Sequence, residues 1–246
     1  RVLFRSMGVN TTAGATGGAT GILNISGGTV GITSLSLSGA NATGAIATGT
    51  VNLTGGTVTM GGSITRATTT GTQNTTLTLN GAVLDMGGFN IGSATATIGS
   101  GSGSLNFQSG TLKNVGQINN GATLTKTTAG TLIMEGSNTY TGGTVFNQGT
   151  VNLIGSGVVI PAGGLTLSGA TLALNTNAGQ IAATNAVTMN DSSTLTLIGA
   201  NTLNSISFNN SGGTGTPTVT TGGILTLTNS TPLSVVSNNL ASVPTV

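Results

Sequence analysis

The chain of 246 residues has no cysteine, no histidine and no tryptophan, one tyrosine, and very little charge. Without cysteine there are no disulfides and no thiolate metal sites. Without cysteine and histidine, the Ser-His-Asp and Cys-His nucleophile systems cannot be assembled. Five basic and three acidic residues make 3% charge, against roughly 25% in an average soluble protein. The net charge of +2 over this length makes no basic patch, so the counterion release that drives nucleic-acid binding has no source. Aromatics at 2% give no platform for stacking bases.

The acids are Asp85, Glu135 and Asp191, each far from the next along the chain. Glycoside or lyase chemistry needs carboxylates within several ångströms of each other or of a cation. A calcium site needs several oxygens gathered in an acid-rich loop. Neither is visible, so no enzyme activity, no cofactor and no metal is expected. The mean hydropathy of +0.32 comes from scattered Val, Leu, Ile and Ala. No window approaches the ~18 consecutive apolar residues of a spanning helix. An outer-membrane barrel would need ~10-residue strands with aromatic girdles, and Tyr140 with Phe4, Phe89, Phe107, Phe146 and Phe208 cannot supply them. The opening Arg1-Val2-Leu3-Phe4-Arg5-Ser6-Met7 is too short for the apolar region of a signal peptide, so the chain reads as a mature or partial product.

What the chain does have is Gly, Thr, Val, Asn and Ser in a recurring order. A glycine, a small residue and then alternating apolar positions appear in Gly28-Thr29-Val30, Gly56-Thr57-Val58-Thr59-Met60, Gly81-Ala82-Val83-Leu84, Gly110-Thr111-Leu112, Gly130-Thr131-Leu132-Ile133-Met134, Gly149-Thr150-Val151-Asn152-Leu153 and Gly169-Ala170-Thr171-Leu172. Ser193-Thr194-Leu195-Thr196-Leu197 is the same pattern with Ser in the glycine place. The glycine anchors recur about every 25–29 residues from Gly28 to Gly110. From Gly110 to Gly169 they recur about every 20 residues. A sandwich of hairpins would show turn signals about every 8–12 residues without such a repeat. Helical periodicity is absent. The reading is an all-β chain folded as a parallel β-helix, a β-solenoid of roughly ten coils of about 20–29 residues. Inward Val, Leu, Ile and Met stack coil on coil about 4.8 Å apart. Thr and Ser take the outward positions, and Gly and Asn take the corners. The expected division is an N-terminal arm or partial coil over 1–20, the solenoid over 21–230, and a tail or edge over 231–246.

The stretch from Ala129 to Leu153, AGTLIMEGSNTYTGGTVFNQGTVNL, holds the clearest copy. Gly130, Leu132, Gly136, Asn138-Thr139-Tyr140-Thr141-Gly142-Gly143-Thr144 and Gly149-Thr150-Val151 carry a motif that resembles the autotransporter-associated β-strand repeat. The resemblance implies a right-handed parallel β-helix in an exported bacterial surface protein, extracellular or held at the cell surface. Tyr140 reads as a packed corner residue. Arg66 with Asp85, and Lys113 with Glu135, are each separated by about one short coil and read as ion pairs on neighbouring rungs. Asn138, Asn147, Asn152 and Asn175 read as corner residues able to form side-chain ladders. Sequons at Asn10, Asn24, Asn41, Asn52, Asn74, Asn190, Asn209 and Asn229 are expected by chance in so Asn- and Thr-rich a chain.

Open ends are the weak point of a solenoid, because their strand edges pair with other chains unless capped. The apolar arm Val2, Leu3 and Phe4, and the terminal Leu233, Val235 and Val236, are therefore the candidate assembly contacts. The functional expectation is a non-catalytic rod that polymerises with itself head to tail into a filament or surface layer. The alternative is an adhesin passenger fragment that binds glycans or surfaces through its Thr, Ser and Asn faces. Nucleic acid is not among the expected partners.

Overall fold

The computed structural model describes residues 9–10, 18–174, 176–210 and 215–237. Among these there is no helix, and the strands pair in parallel. The chain divides into two compact units, residues 1–121 and 122–246. The first holds β1 (Val9–Asn10), β2 (Gly18–Ile32), β3 (Leu35–Ser36), β4 (Gly39–Ala40), β5 (Ile46–Met60), β6 (Ile64–Thr65), β7 (Thr72–Asp85) and β8 (Leu105–Lys113). The second holds β9 (Leu124–Lys126), β10 (Thr131–Glu135), β11 (Thr144–Phe146), β12 (Thr150–Ile154), β13 (Leu165–Ser168), β14 (Thr171–Leu174), β15 (Ala186–Asn190), β16 (Thr194–Leu197), β17 (Asn201–Leu203), β18 (Ser205–Asn210), β19 (Thr218–Thr221), β20 (Leu225–Leu227) and β21 (Leu233–Ser237).

Each unit is a stack of β-solenoid coils, about nine turns in all. In the first unit, β2, β5, β7 and β8 lie side by side, and Leu23, Val51, Leu77 and Leu105 share one register column. In the second, β10, β12, β14, β16 and β19 form one ladder, with Thr131, Thr150, Thr171, Thr194 and Thr218 in register. A second ladder, β9, β11, β13, β15, β18 and β21, closes the other side of the same coils. The glycine anchors of the sequence thus mark real coil boundaries. The shorter period after Gly110 marks smaller coils in the second unit.

Alternation places the core. Leu132, Val151, Leu172, Leu195 and Val219 stack inward and are buried. Phe146, Leu167, Met189 and Phe208 do the same in the second ladder. Each such side chain removed from water contributes about 1.5–3 kcal/mol. Glycine is required where one coil's corner runs against the next. At Gly56 (φ +78°) an added Cβ would lie 2.5 Å from the Gly27 carbonyl carbon. At Gly149 (φ +77°) it would lie 2.5 Å from the carbonyl oxygens of both Gly130 and Thr128.

Side-chain amides fasten successive coils. Asn52 donates to Asn24 at 2.8 Å, and Asn229 donates to Asn204 at 2.9 Å, so the asparagine ladders run through these pairs. They do not run through Asn152, whose register neighbours are Ile133 and Ala173. Asn175 lies outside the described residues.

Candidate functional site

The motif-bearing stretch occupies one full coil of the second unit. The Asn138 amide is buried and donates to the carbonyls of Glu135 (3.3 Å) and Val159 (2.9 Å), the latter one coil away. Tyr140 is buried with its hydroxyl 2.9 Å from Thr144 Oγ1. Burial holds the Tyr140 phenol well above the usual tyrosine range, with the Thr144 hydrogen bond a smaller opposing effect. Tyr140 and Asn138 thus serve the corner of the coil, and neither is presented to solvent.

Lys126 is the residue that sequence reasoning missed. It sits on the inner face of β9, fully buried, in register with Phe146. Its ammonium donates to the carbonyl and hydroxyl oxygens of Thr128. Burial pulls its pKa below the ordinary lysine value. The signal was in the alternation Leu124-Thr125-Lys126, which puts position 126 on the same side as Leu124.

Asp85 takes a different cation from the Arg66 that the sequence spacing suggested. Lys113 Nζ lies 3.7 Å from Asp85 Oδ2, on adjacent rungs in direct register. Asp85 also accepts from Asn114 Nδ2 at 2.8 Å and from the Gly87 amide at 3.0 Å. Arg66 instead donates to the carbonyls of Thr97, Ala67 and Thr95. The expected Arg66–Asp85 pair fails because coils in this unit are longer than the gap between the two residues. Asp85 registers with Thr59 on one side and Lys113 on the other, so Arg66 does not return to its column.

Of the candidate assembly contacts, Val2, Leu3 and Phe4 lie outside the described residues. Leu233, Val235 and Val236 lie on β21, which pairs with β18. Leu233 and Val235 continue the inward columns of Ile206 and Phe208, yet they are 50% and 56% exposed where those two are 1% exposed. Val236 is 50% exposed, and nearby Ile224, preceding β20, is 75% exposed. A concavity in the first unit is different in kind. It is a groove of about 300 Å³ lined by Gly31, Ile32, Thr33, Thr59, Met60 and Gly61, with no ionisable or nucleophilic group beyond two threonine hydroxyls.

Comparison with known proteins adds one identification. A family model described as the passenger-associated-transport-repeat matches residues 124–153. That interval starts at β9, ends within β12, and contains Lys126, Asn138, Tyr140, Thr144 and Gly149. The residues that the motif carries are thus the ones that build this coil, within a β-solenoid of the kind the repeat family leads one to expect. No curated protein matches over this chain, and no solved structure matches it.

Proposed function

We propose that this chain is the coiled segment of an exported bacterial surface protein, a non-catalytic structural element that associates end to end with further copies of itself. Export and surface placement are supported by the passenger-type repeat at 124–153. The non-catalytic assignment is supported by the acids, which are spread over separate coils, with Asp85 engaged by Lys113 and Asn114.

One observation carries the self-association: Leu233 and Val235 stand in core columns without a further described coil to cover them. Apolar side chains in such a position, on a strand edge with no described partner, favour the addition of another rung. For the chain of 246 residues taken by itself, the rung comes from a second copy, giving a heterologous contact that propagates. A near-neutral chain offers little electrostatic repulsion to oppose this.

Negative-stain microscopy and sedimentation of the purified chain over a concentration series test the proposal. Filaments or concentration-dependent oligomers are expected, and Leu233→Glu with Val235→Glu is expected to return the chain to monomers. A wild-type chain that stays monomeric at every concentration overturns the self-association.

A further inference from the structure

The outer face of the second unit carries a feature that end-to-end association does not use. Thr131, Thr150, Thr171, Thr194 and Thr218 form one unbroken register column on five successive rungs. They alternate with buried Leu132, Val151, Leu172, Leu195 and Val219, so their side chains face outward. The next outward column reads Ile133, Asn152, Ala173, Thr196 and Thr220. One position is held to a single residue type over five coils while its neighbour two places on is not.

Strand propensity alone favours Thr on an outward position, and threonine hydroxyls in this chain fall into two groups, those tied to protein partners and those, such as Thr166 and Thr188 on the opposite ladder, without one among the described residues. Thr54, Thr65, Thr176 and Thr228 donate to backbone carbonyls, and Thr75 is tied to Gly99, Ser100 and Thr97. In the column, the hydroxyls of Thr131, Thr150, Thr171 and Thr194 are not spent on protein partners among the described residues. Thr218 alone reaches an acceptor, the Thr216 carbonyl at 3.4 Å. The face therefore presents a row of available hydroxyls, each beside a methyl group. Rungs stand about 4.8 Å apart, and alternate residues along a strand about 6.6 Å apart. The wall behind the row is a rigid parallel ladder.

The chemistry of a matching partner is narrow. Neither column contains an ionisable side chain, so a charged ligand gains nothing there. The one acid in these five strands is Glu135, at the far end of β10. Neither column contains an aromatic ring on which a sugar could stack. An uncharged solid whose own hydrogen-bonding groups repeat at a similar interval fits both facts, and the rung spacing is close to an oxygen repeat of hexagonal ice. We propose that the Thr131–Thr150–Thr171–Thr194–Thr218 column is an ice-binding surface, on which the hydroxyls and methyls hold a layer of water in register with the crystal.

The test grows ice slowly in a solution of the purified chain and measures the protein in the frozen fraction, with growth of a single crystal followed by microscopy. The wild-type chain is expected to enter the ice several-fold more than a non-binding control protein and to slow crystal growth. Thr171→Lys with Thr194→Lys is expected to fall to the control level. The same change on the opposite sheet, Thr166→Lys with Thr188→Lys, is expected to leave binding unchanged. If the first lysine pair disturbs the β-sheet circular dichroism, Thr171→Asn with Thr194→Asn replaces it, since Asn152 already occupies an outward site on β12. Exclusion of the wild-type chain from ice overturns the proposal, and so does equal binding by variants of the two faces.

Discussion

Lys126 and Phe146 occupy the same inward register position on neighbouring coils, and both are fully buried. The lysine is held there by oxygens of Thr128 and not by a carboxylate. A buried ammonium without a counter-charge carries a desolvation cost of several kcal/mol that hydrogen bonds to neutral oxygens only partly offset.

Lys126→Met is therefore expected to stabilise the chain by about 1–3 kcal/mol near neutral pH. The sign follows from linkage. The folded-state pKa is depressed, so the unfolded chain, with a lysine near its ordinary value of about 10.4, binds more protons and stability rises with pH in that interval. The cost is present in full below the folded-state pKa and disappears as pH climbs toward about 10. Urea midpoints at a series of pH values check this: wild type should gain stability over that interval and the variant should not.

Tyr140 acts in the opposite sense above that range. Its phenol stays protonated in the fold while the unfolded chain ionises near pH ~10, so stability should fall as pH rises past that value. Tyr140→Phe should abolish the fall. At neutral pH it should cost about 1–2 kcal/mol, because the buried Thr144 hydroxyl loses its partner. Adding Thr144→Val should recover part of that loss in a double-mutant cycle.

Asn185 tests the amide clamps. Its Oδ1 accepts from the Gly164 amide at 2.8 Å and its Nδ2 donates to the Pro161 carbonyl at 2.9 Å, with the side chain fully buried. Asn185→Asp keeps the shape but sets an acceptor against that carbonyl. A loss of about 2–4 kcal/mol is expected at neutral pH. Thermal melts should show the loss shrinking in acid, where the new carboxyl is protonated and can donate.

Ser193 points the other way. It stands in the place held by glycine in earlier copies, buried, with its hydroxyl oxygen unpartnered among the described residues. Ser193→Ala removes that oxygen and should stabilise by about 1 kcal/mol, read as an upward shift of the denaturation midpoint.

The coil architecture was legible because its signal is periodic. Gly28, Gly56, Gly130 and Gly149 each precede a threonine that later appears in register with its counterpart, Thr29 with Thr57 and Thr131 with Thr150. Alternation told which side of each strand faces inward. Pairings between side chains depended on coil length to within a residue or two. The short step that holds between Gly130 and Gly149 was therefore a poor guide at Arg66, where the coils are longer. Lys126 was hidden by its type, since a lysine at an inward position contradicts the usual preference for exposure. The terminal apolar residues were visible in sequence, but only the register with Ile206 and Phe208 shows that Leu233 and Val235 belong to core columns.

The regular return of each ladder position, one coil on, has a kinetic consequence. Every rung-to-rung pairing within a unit closes a loop of one coil, however many coils are added, so the entropy of closure does not grow with the length of the protein. A chain of this kind has no distant partner to wait for. Each coil needs only its predecessor as a template, and order can advance along the polypeptide in the sequence in which its segments become available.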